Sequence, residues 1–172
     1  MITKQTPLKE VLKLGESCDK CRHCCSYGSG ILTDEDKNII SKHLKLSAEQ
    51  FEKTYLEPIT LFNKKMHRFK LKRKDSMPYG RCVFLDEKNG CKINDVKALH
   101  CRIGNCSEYG EQLSNWFYLN HVLDVNDPQA VREWAIYLKT HQAIPGGMLE
   151  QLVPDKKRLK NILEYEDVKH GK

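Results

Sequence analysis

The sequence predicts an α+β fold: a small cysteine-rich domain with a β-hairpin and flanking helices. Three observations indicate this. Apolar residues recur at helical spacing near both ends of the chain, short alternating stretches with a glycine turn lie between them, and the 172 residues include eight cysteines. This length and a hydrophobic content of 40% suit one domain over residues 1–172. We divide it into a cysteine-cluster core at 18–106 and a C-terminal helical extension at 107–172.

The first half of the chain predicts three short helices. One covers Pro7 to Leu14, with Thr6 as its cap and Gly15 at its end. Two more begin at capping boxes, which Thr33 forms with Asp36 and Ser47 forms with Gln50. The residues expected to be buried by the second and third helices are Ile39, Ile40, Leu44, Phe51 and Tyr55.

The middle of the chain predicts β-structure. From Met66 to Lys74, apolar residues alternate with basic ones, as in a half-exposed strand. The segments 82–85 and 91–93 flank Asn89 and Gly90, which favours a hairpin with a tight glycine turn. This interpretation places Cys82 and Cys91 on one hairpin.

The last third of the chain predicts helices. Leu113, Trp116 and Phe117 share one helical face. A further helix begins at Asp127 and Pro128, and its apolar positions are Val131, Trp134, Ala135 and Leu138. A last helix begins near Asp155 and turns Leu159, Ile162 and Leu163 inward, while residues 164–172 are expected to fray.

The chain lacks a span of about 20 apolar residues and an apolar N-terminal stretch, so we expect a cytoplasmic protein without membrane segments. Thiols in that compartment stay reduced, and closely spaced cysteines there are metal ligands more often than disulfides. The motif C-x-x-C-x-x-C-C at residues 18–25 has such spacing. The chain is therefore expected to bind metal.

The adjacent Cys24 and Cys25 would strain a single four-ligand site, because neighbouring side chains tend to point in different directions. We therefore expect ligands from the hairpin and from the loop that follows it. Eight thiolates could fill two four-ligand sites. The predicted ligands are Cys18, Cys21, Cys24, Cys25, Cys82, Cys91, Cys101 and Cys106.

The spacing of the first three cysteines matches that of bacterial ferredoxins, which favours an iron–sulfur cluster of the 4Fe-4S type. Zinc remains the alternative, because a structural site of four cysteines has the same spacing. His23 and His100 adjoin cysteines, but neither has the spacing typical of histidine ligands, and we interpret both as exposed neighbours.

These motifs resemble the YkgJ-type CxxCxxCC cysteine-cluster family, a zinc- or iron-chelating domain. The resemblance covers residues 18–102 and includes Cys82-x-Phe84-Leu85, Gly90-Cys91-x-Ile93 and Cys101-Arg102. The family usually has Arg-Pro shortly before the last pair, where this chain has residues 97–100, Lys-Ala-Leu-His. Because similar domains occur in flagellin lysine methylases, the resemblance implies metal binding first and methyl-transfer-like chemistry second.

Three functions remain open, and with them the question of whether the protein is an enzyme. The first is an iron–sulfur protein supporting redox or protein-modification chemistry on a protein partner or substrate. The second is a zinc-stabilised module that binds nucleic acid or a protein through its basic stretch, residues 67–74. The third is metal storage or delivery. Motifs of conventional hydrolases are absent from the sequence.

Overall fold

A computed structural model describes residues 1–166, so the fraying predicted for the C-terminus falls largely on residues outside the described part. The helices are α1 (Leu8–Gly15), α2 (His23–Tyr27), α3 (Asp34–His43), α4 (Ala48–Tyr55), α5 (Leu99–Ile103), α6 (Gly110–Phe117), α7 (Pro128–Tyr137), α8 (Leu149–Leu152) and α9 (Lys156–Leu163). The strands are β1 (Ile31–Leu32), β2 (Leu56–Leu61), β3 (Lys64–Phe69), β4 (Leu71–Lys72), β5 (Arg81–Cys82), β6 (Leu85–Asp86) and β7 (Gly90–Cys91). This mixture of helices and small antiparallel sheets confirms the predicted α+β class.

The helix starts follow the local capping signals. Both capping boxes are present, at Thr33 before α3 and at Ser47 before α4. Asp127 and Asp155 cap α7 and α9. The cap predicted for α1 is wrong: Pro7 occupies the N-cap position, and the Thr6 hydroxyl instead accepts a hydrogen bond from the Thr3 backbone N–H at 2.8 Å.

The largest sheet has three antiparallel strands in the order β1-β3-β2. Sequence reasoning missed β2, which pairs with β3 along its whole length from Leu56 opposite Phe69 to Leu61 opposite Lys64. Phe62 and Asn63 make the turn with φ of 47° and 55°. The strand predicted at 66–74 is thus divided into β3 and β4.

The predicted hairpin exists only in its inner part. Leu85 pairs with Cys91 and Asp86 with Gly90, whose φ of 83° allows the tight turn. Cys82 belongs to a different two-stranded sheet, in which it pairs with Leu71 of β4. The prediction of two cysteines on one hairpin is therefore wrong, because the partner of Cys82 is a strand that precedes it in the chain.

Two hydrophobic clusters hold these elements together. The larger one packs the C-terminal helices against α1 and β1 around Trp134 and Phe117, both fully buried. The smaller one contains Phe51 and Phe69 and lies under the cysteine cluster, with Cys82 as a member. Within residues 1–166, no helix is long and apolar enough to cross a membrane.

Two residues expected in the core lie at the surface. Ile39 is 45% exposed, because α3 turns Asp36 and Ile40, one helical turn apart, inward instead. Leu163, the last residue of α9, is 39% exposed, whereas Leu159 and Ile162 are buried as predicted. Periodicity therefore placed the inward faces of α3 and α9 within one residue, but the short helices α2, α5 and α8 were not predicted.

Candidate metal centre

Six of the eight cysteines line one cavity of ≈ 530 Å³. They come from the loop before α2, from α2 itself, from β5, from β7 and from α5. The cysteines that line the cavity are Cys18, Cys24, Cys25, Cys82, Cys91 and Cys101. The tertiary structure thus brings the N-terminal motif together with thiols more than 50 positions away in the sequence.

Arg22 fixes the N-terminal motif to the turn between β6 and β7. Its backbone has φ of 65°, in the left-handed region, immediately before α2 begins. Its guanidinium donates hydrogen bonds to the carbonyl oxygens of Glu87 at 2.6 Å and Lys88 at 3.4 Å. Cys24 and Cys25 therefore sit at the start of a short helix whose position depends on the distant turn.

The two adjacent thiols interact with each other. The Sγ atoms of Cys24 and Cys25 are 3.8 Å apart, within hydrogen-bonding distance for sulfur. This hydrogen bond, together with weaker effects that include the positive charge of Lys97, lowers the pKa of Cys24 to about 6, although desolvation acts in the opposite direction. The same bond, burial and the charges of neighbouring thiols raise the pKa of Cys25.

Burial raises the pKa of Cys82 to about 11, and it also raises the pKa of Cys101, with the charges of other cavity thiols adding to the effect. Hydrogen bonds from the backbone of Phe84 and Leu85 to Cys82, and from Gly30 to Cys101, act in the opposite direction because they stabilise the thiolate. Backbone donors aimed at sulfur are typical of protein sites that hold thiolate-bound metals.

Gly30 packs directly on one of these thiols. A Cβ atom built on Gly30 would lie 2.2 Å from Cys101 Sγ, which is far inside van der Waals contact. The glycine therefore leaves the space that the Cys101 sulfur occupies. Sequence reasoning missed this contact, because it joins residues that are 71 positions apart in the chain.

The charged residues that line the cavity are all cationic. Lys20, Arg22 and Lys97 line it, and no Asp or Glu does so within the described residues. Cysteine thiols and basic side chains therefore face the same space. Such a wall favours a negatively charged occupant and offers no carboxylate oxygen to a hard cation such as Mg²⁺ or Ca²⁺.

His100 lines the inner side of the cavity, contrary to the prediction that it is exposed. Its ring stacks on Phe117 with centroids 4.5 Å apart and an interplanar angle of 9°, and its Nδ1 accepts a hydrogen bond from the Ile31 N–H at 3.2 Å. Burial lowers the pKa of His100 to about 4, so the ring is neutral at pH 7. His23 is exposed, as predicted.

Cys21 and Cys106 lie outside the cavity lining and are exposed. Cys101, predicted in a loop, lies within helix α5. All eight cysteines are free thiols, and in the part of the chain that the structure covers no three Cys, His, Asp or Glu side chains converge closely enough to hold one ion as they stand. The cluster therefore brings thiols near each other without fixing which of them share a metal.

Part of the basic stretch is neutralised within the fold. The Glu57 carboxylate accepts hydrogen bonds from Arg73 at 2.6 Å and from Arg68 at 2.8 Å. These two partners lower the pKa of Glu57 to about 2. Lys70 donates to the carbonyl oxygen of Lys53 at 2.5 Å. Binding of nucleic acid through this strand stays a prediction.

Fold and site together define a class: a small α+β protein in which cysteine thiols from separate elements surround one cavity. Comparison with family models gives the particular family. Residues 17–121, more than half of the chain, match the CxxCxxCC family, described as "Putative zinc- or iron-chelating domain", and the chain belongs to that family. The match confirms the predicted resemblance and extends past Arg102 to include Cys106. No curated protein and no solved structure matches the chain.

Proposed function

We propose that this protein holds an iron–sulfur cluster of the 4Fe-4S type in the cysteine-lined cavity. The observation that carries the proposal is the convergence of six thiols on one ≈ 530 Å³ space whose charged lining is only basic. Thiolate sulfur is the ligand that iron–sulfur clusters and zinc both prefer. The donor set therefore fits the chemistry of the family to which the chain belongs.

The size of the cavity supports a cluster over a single ion. A closed zinc site has four sulfurs at about 2.3 Å from the metal and leaves no space between them. Six thiols around ≈ 530 Å³ leave room for a group larger than one ion. The basic residues Lys20, Arg22 and Lys97 fit either occupant, because a cluster and a zinc ion held by four thiolates are both anionic overall.

Such a cluster would supply one-electron chemistry, and the contribution of the chain is ligation, shielding and charge. Phe84 and Leu85 hydrogen-bond to the sulfur of Cys82 through their backbone, a kind of contact that tunes the potential of a cluster. His100, Phe69 and Ile93 form the apolar side of the cavity and limit access of water. We propose that the protein carries out redox chemistry or supports a protein-modification reaction.

One observation favours zinc as the alternative. Cys25, Cys82, Cys91 and Cys101 are all shielded from solvent to some degree and come from four separate elements, as expected of a structural four-cysteine zinc site. In that case the protein would be a zinc-stabilised binding module for a protein or nucleic acid. No reaction would then be needed, and the metal would act through the stability of the fold.

The experiment that separates these functions is metal analysis of full-length protein purified without oxygen. Iron, acid-labile sulfide and zinc are measured per chain beside a visible absorption spectrum. Iron with matching sulfide and a brown colour supports the cluster, whereas zinc without sulfide supports the binding module. Cys101→Ser should lose metal, and Arg102→Lys, an exposed neighbour on the same helix, should keep it. Wild-type protein without either metal would refute both functions.

A further inference from the structure

The eight cysteines form two groups that differ in exposure and in position. In the inner group none is exposed, and Cys82 is the most buried at 7%. The outer group has three exposed members and one intermediate member. The inner group is Cys25, Cys82, Cys91 and Cys101, and the outer group is Cys18, Cys21, Cys24 and Cys106.

The inner group is attached to the hydrophobic core. Cys82 belongs to the smaller core cluster, and Cys25, Cys91 and Cys101 pack against that cluster. Each of the four is part of a helix or strand rather than a loop. Their positions are therefore set by the packing of the fold.

The outer group is joined by contacts between two loops. The segment 17–22 follows α1 and the segment 104–109 follows α5, and these helices pack so closely that a Cβ on Gly15 would lie 2.4 Å from the Arg102 carbonyl oxygen. Because the two helices touch near their C-terminal ends, the segments that follow them begin next to each other. Cys18 and Cys21 are on the first segment, and Cys106 is on the second.

Side-chain hydrogen bonds hold the two segments together. The Ser17 hydroxyl donates to Ser107 Oγ at 3.2 Å, and Asn105 Nδ2 donates to Ser17 Oγ at 3.5 Å. Ser17 precedes Cys18, while Asn105 and Ser107 flank Cys106. These hydrogen bonds place the segment of Cys18 next to the segment of Cys106, 88 residues further along the chain.

We infer that the protein has two four-thiolate metal centres, an inner one held by Cys25, Cys82, Cys91 and Cys101 and an outer one held by Cys18, Cys21, Cys24 and Cys106. The inference rests on the proposed function, since it requires that the cysteines bind metal. Each centre forms when its thiols turn about χ1 toward a common point, since side chains can exchange between staggered rotamers. The outer centre is a thiolate site that accepts iron or zinc from solution.

Cys24 and Cys25 give one ligand to each centre. Neighbouring side chains tend to point in different directions, so two adjacent residues can serve two neighbouring sites. Their Sγ atoms are 3.8 Å apart, so the two centres lie side by side. This arrangement explains why the motif ends in two consecutive cysteines.

The two centres should differ in lability. The inner ligands are shielded, so a chelator reaches that metal only when the fold opens. Three of the outer ligands lie on loops and Cys24 lies at the start of α2, and all but Cys18 are exposed, so their metal exchanges with the solvent. The inner centre therefore stabilises the fold, and the outer centre is the one that a partner or chelator can reach.

The test uses full-length protein purified without oxygen and compares the adjacent variants Cys24→Ser and Cys25→Ser. Metal and sulfide per chain, the rate of metal release to EDTA and the melting temperature are measured. Cys24→Ser and Cys106→Ser should each lose the fast-released fraction of the metal and keep the slow fraction and a near-wild-type melting temperature. Cys25→Ser should lose the slow fraction and melt at a lower temperature.

Ser114→Ala, a substitution on α6 away from both groups, serves as the control and should keep both fractions. If Cys25→Ser does not fold, Cys24→Ser and Cys106→Ser, which change exposed residues, still decide the question. Full metal content in Cys106→Ser, loss of all metal in Cys24→Ser, or a single release phase with one centre in wild-type protein would overturn the division. Wild-type protein without metal would instead refute the proposed function.

Discussion

The contact between Gly30 and Cys101 leads to a quantitative prediction about Gly30→Ala. The added methyl group would lie 2.2 Å from Cys101 Sγ and 3.4 Å from the Cys101 backbone nitrogen, whereas ordinary contact begins at 3.4 Å. The sulfur must therefore leave its position in the cavity. Overpacking of this kind costs roughly 1–3 kcal/mol. A loss of 1 kcal/mol shifts the melting temperature by roughly 2–4 °C for a domain of this size, so we expect a decrease of about 2–12 °C.

The matched control is Gly28→Ala, two residues earlier in the same loop. A Cβ there would meet only the Cys24 carbonyl oxygen at 3.6 Å, an ordinary contact, and the φ of −163° is accessible to any residue. Metal content per chain and thermal unfolding are measured for both variants. Gly30→Ala should bind less metal and melt earlier, and Gly28→Ala should match wild type. Equal metal content and equal melting temperature in the two variants would refute the assignment of Cys101 as a ligand held against Gly30.

Three further predictions follow from the electrostatics and the core. The depressed pKa of Glu57 means that its pairing stabilises the fold above the unfolded pKa near 4.5 and that this contribution is lost as pH falls toward about 2. After allowance for solvent screening, this pairing contributes about 1 kcal/mol to the unfolding free energy. Urea unfolding of Glu57→Gln should therefore show a smaller decline in stability between pH 5 and pH 2 than wild type. An equal decline would contradict the pairing. Metal-free protein at pH 7 is treated with iodoacetamide, and the modified residues are identified by mass spectrometry. Cys24, whose pKa is lowered to about 6, should react before Cys82, whose pKa is raised to about 11. The reverse order would show that the contact between the adjacent thiols is absent in solution. Trp134→Ala should cost about 3–5 kcal/mol of unfolding free energy, because the ring is fully buried and its Nε1 donates to the Gly147 carbonyl oxygen at 2.8 Å. At low temperature, where the variant is still folded, its metal content should equal that of wild type. Loss of metal would show that the two core clusters are coupled.

Local signals in the sequence were sufficient for the helices with a cap or a clear apolar face, such as α3, α4 and α7, but not for the short helices α2, α5 and α8. Thr33 and Ser47 start helices because their side chains accept hydrogen bonds from backbone N–H groups only three residues away, and such contacts depend on neighbouring residues alone. The apolar spacing around Trp134 predicted a buried helical face for the same reason. Thr6 shows the limit of this reasoning, since a competing contact with Thr3 occupies its hydroxyl.

Strand pairing could not be predicted in this way. The partner of Cys82 is Leu71, and the choice depends on how β4 lies after the turn at Phe62 and Asn63 rather than on the residues around Cys82. The segment β2 lacks a clear alternating pattern, and it becomes a strand because β3 folds back on it. Pairing of this kind is decided by tertiary context more than by propensity.

The sequence by itself determined the chemistry of the protein. Eight cysteines, four of them in C-x-x-C-x-x-C-C, limit the site to metals that prefer sulfur, because ligand type follows from residue identity and spacing. Only the tertiary structure decided which thiols are shielded, which basic groups face them, and that His100 is a buried wall of the cavity. The burial of a site residue and the charge around it depend on elements that are distant in the chain. Those elements meet only when the cores around Trp134 and Phe69 form.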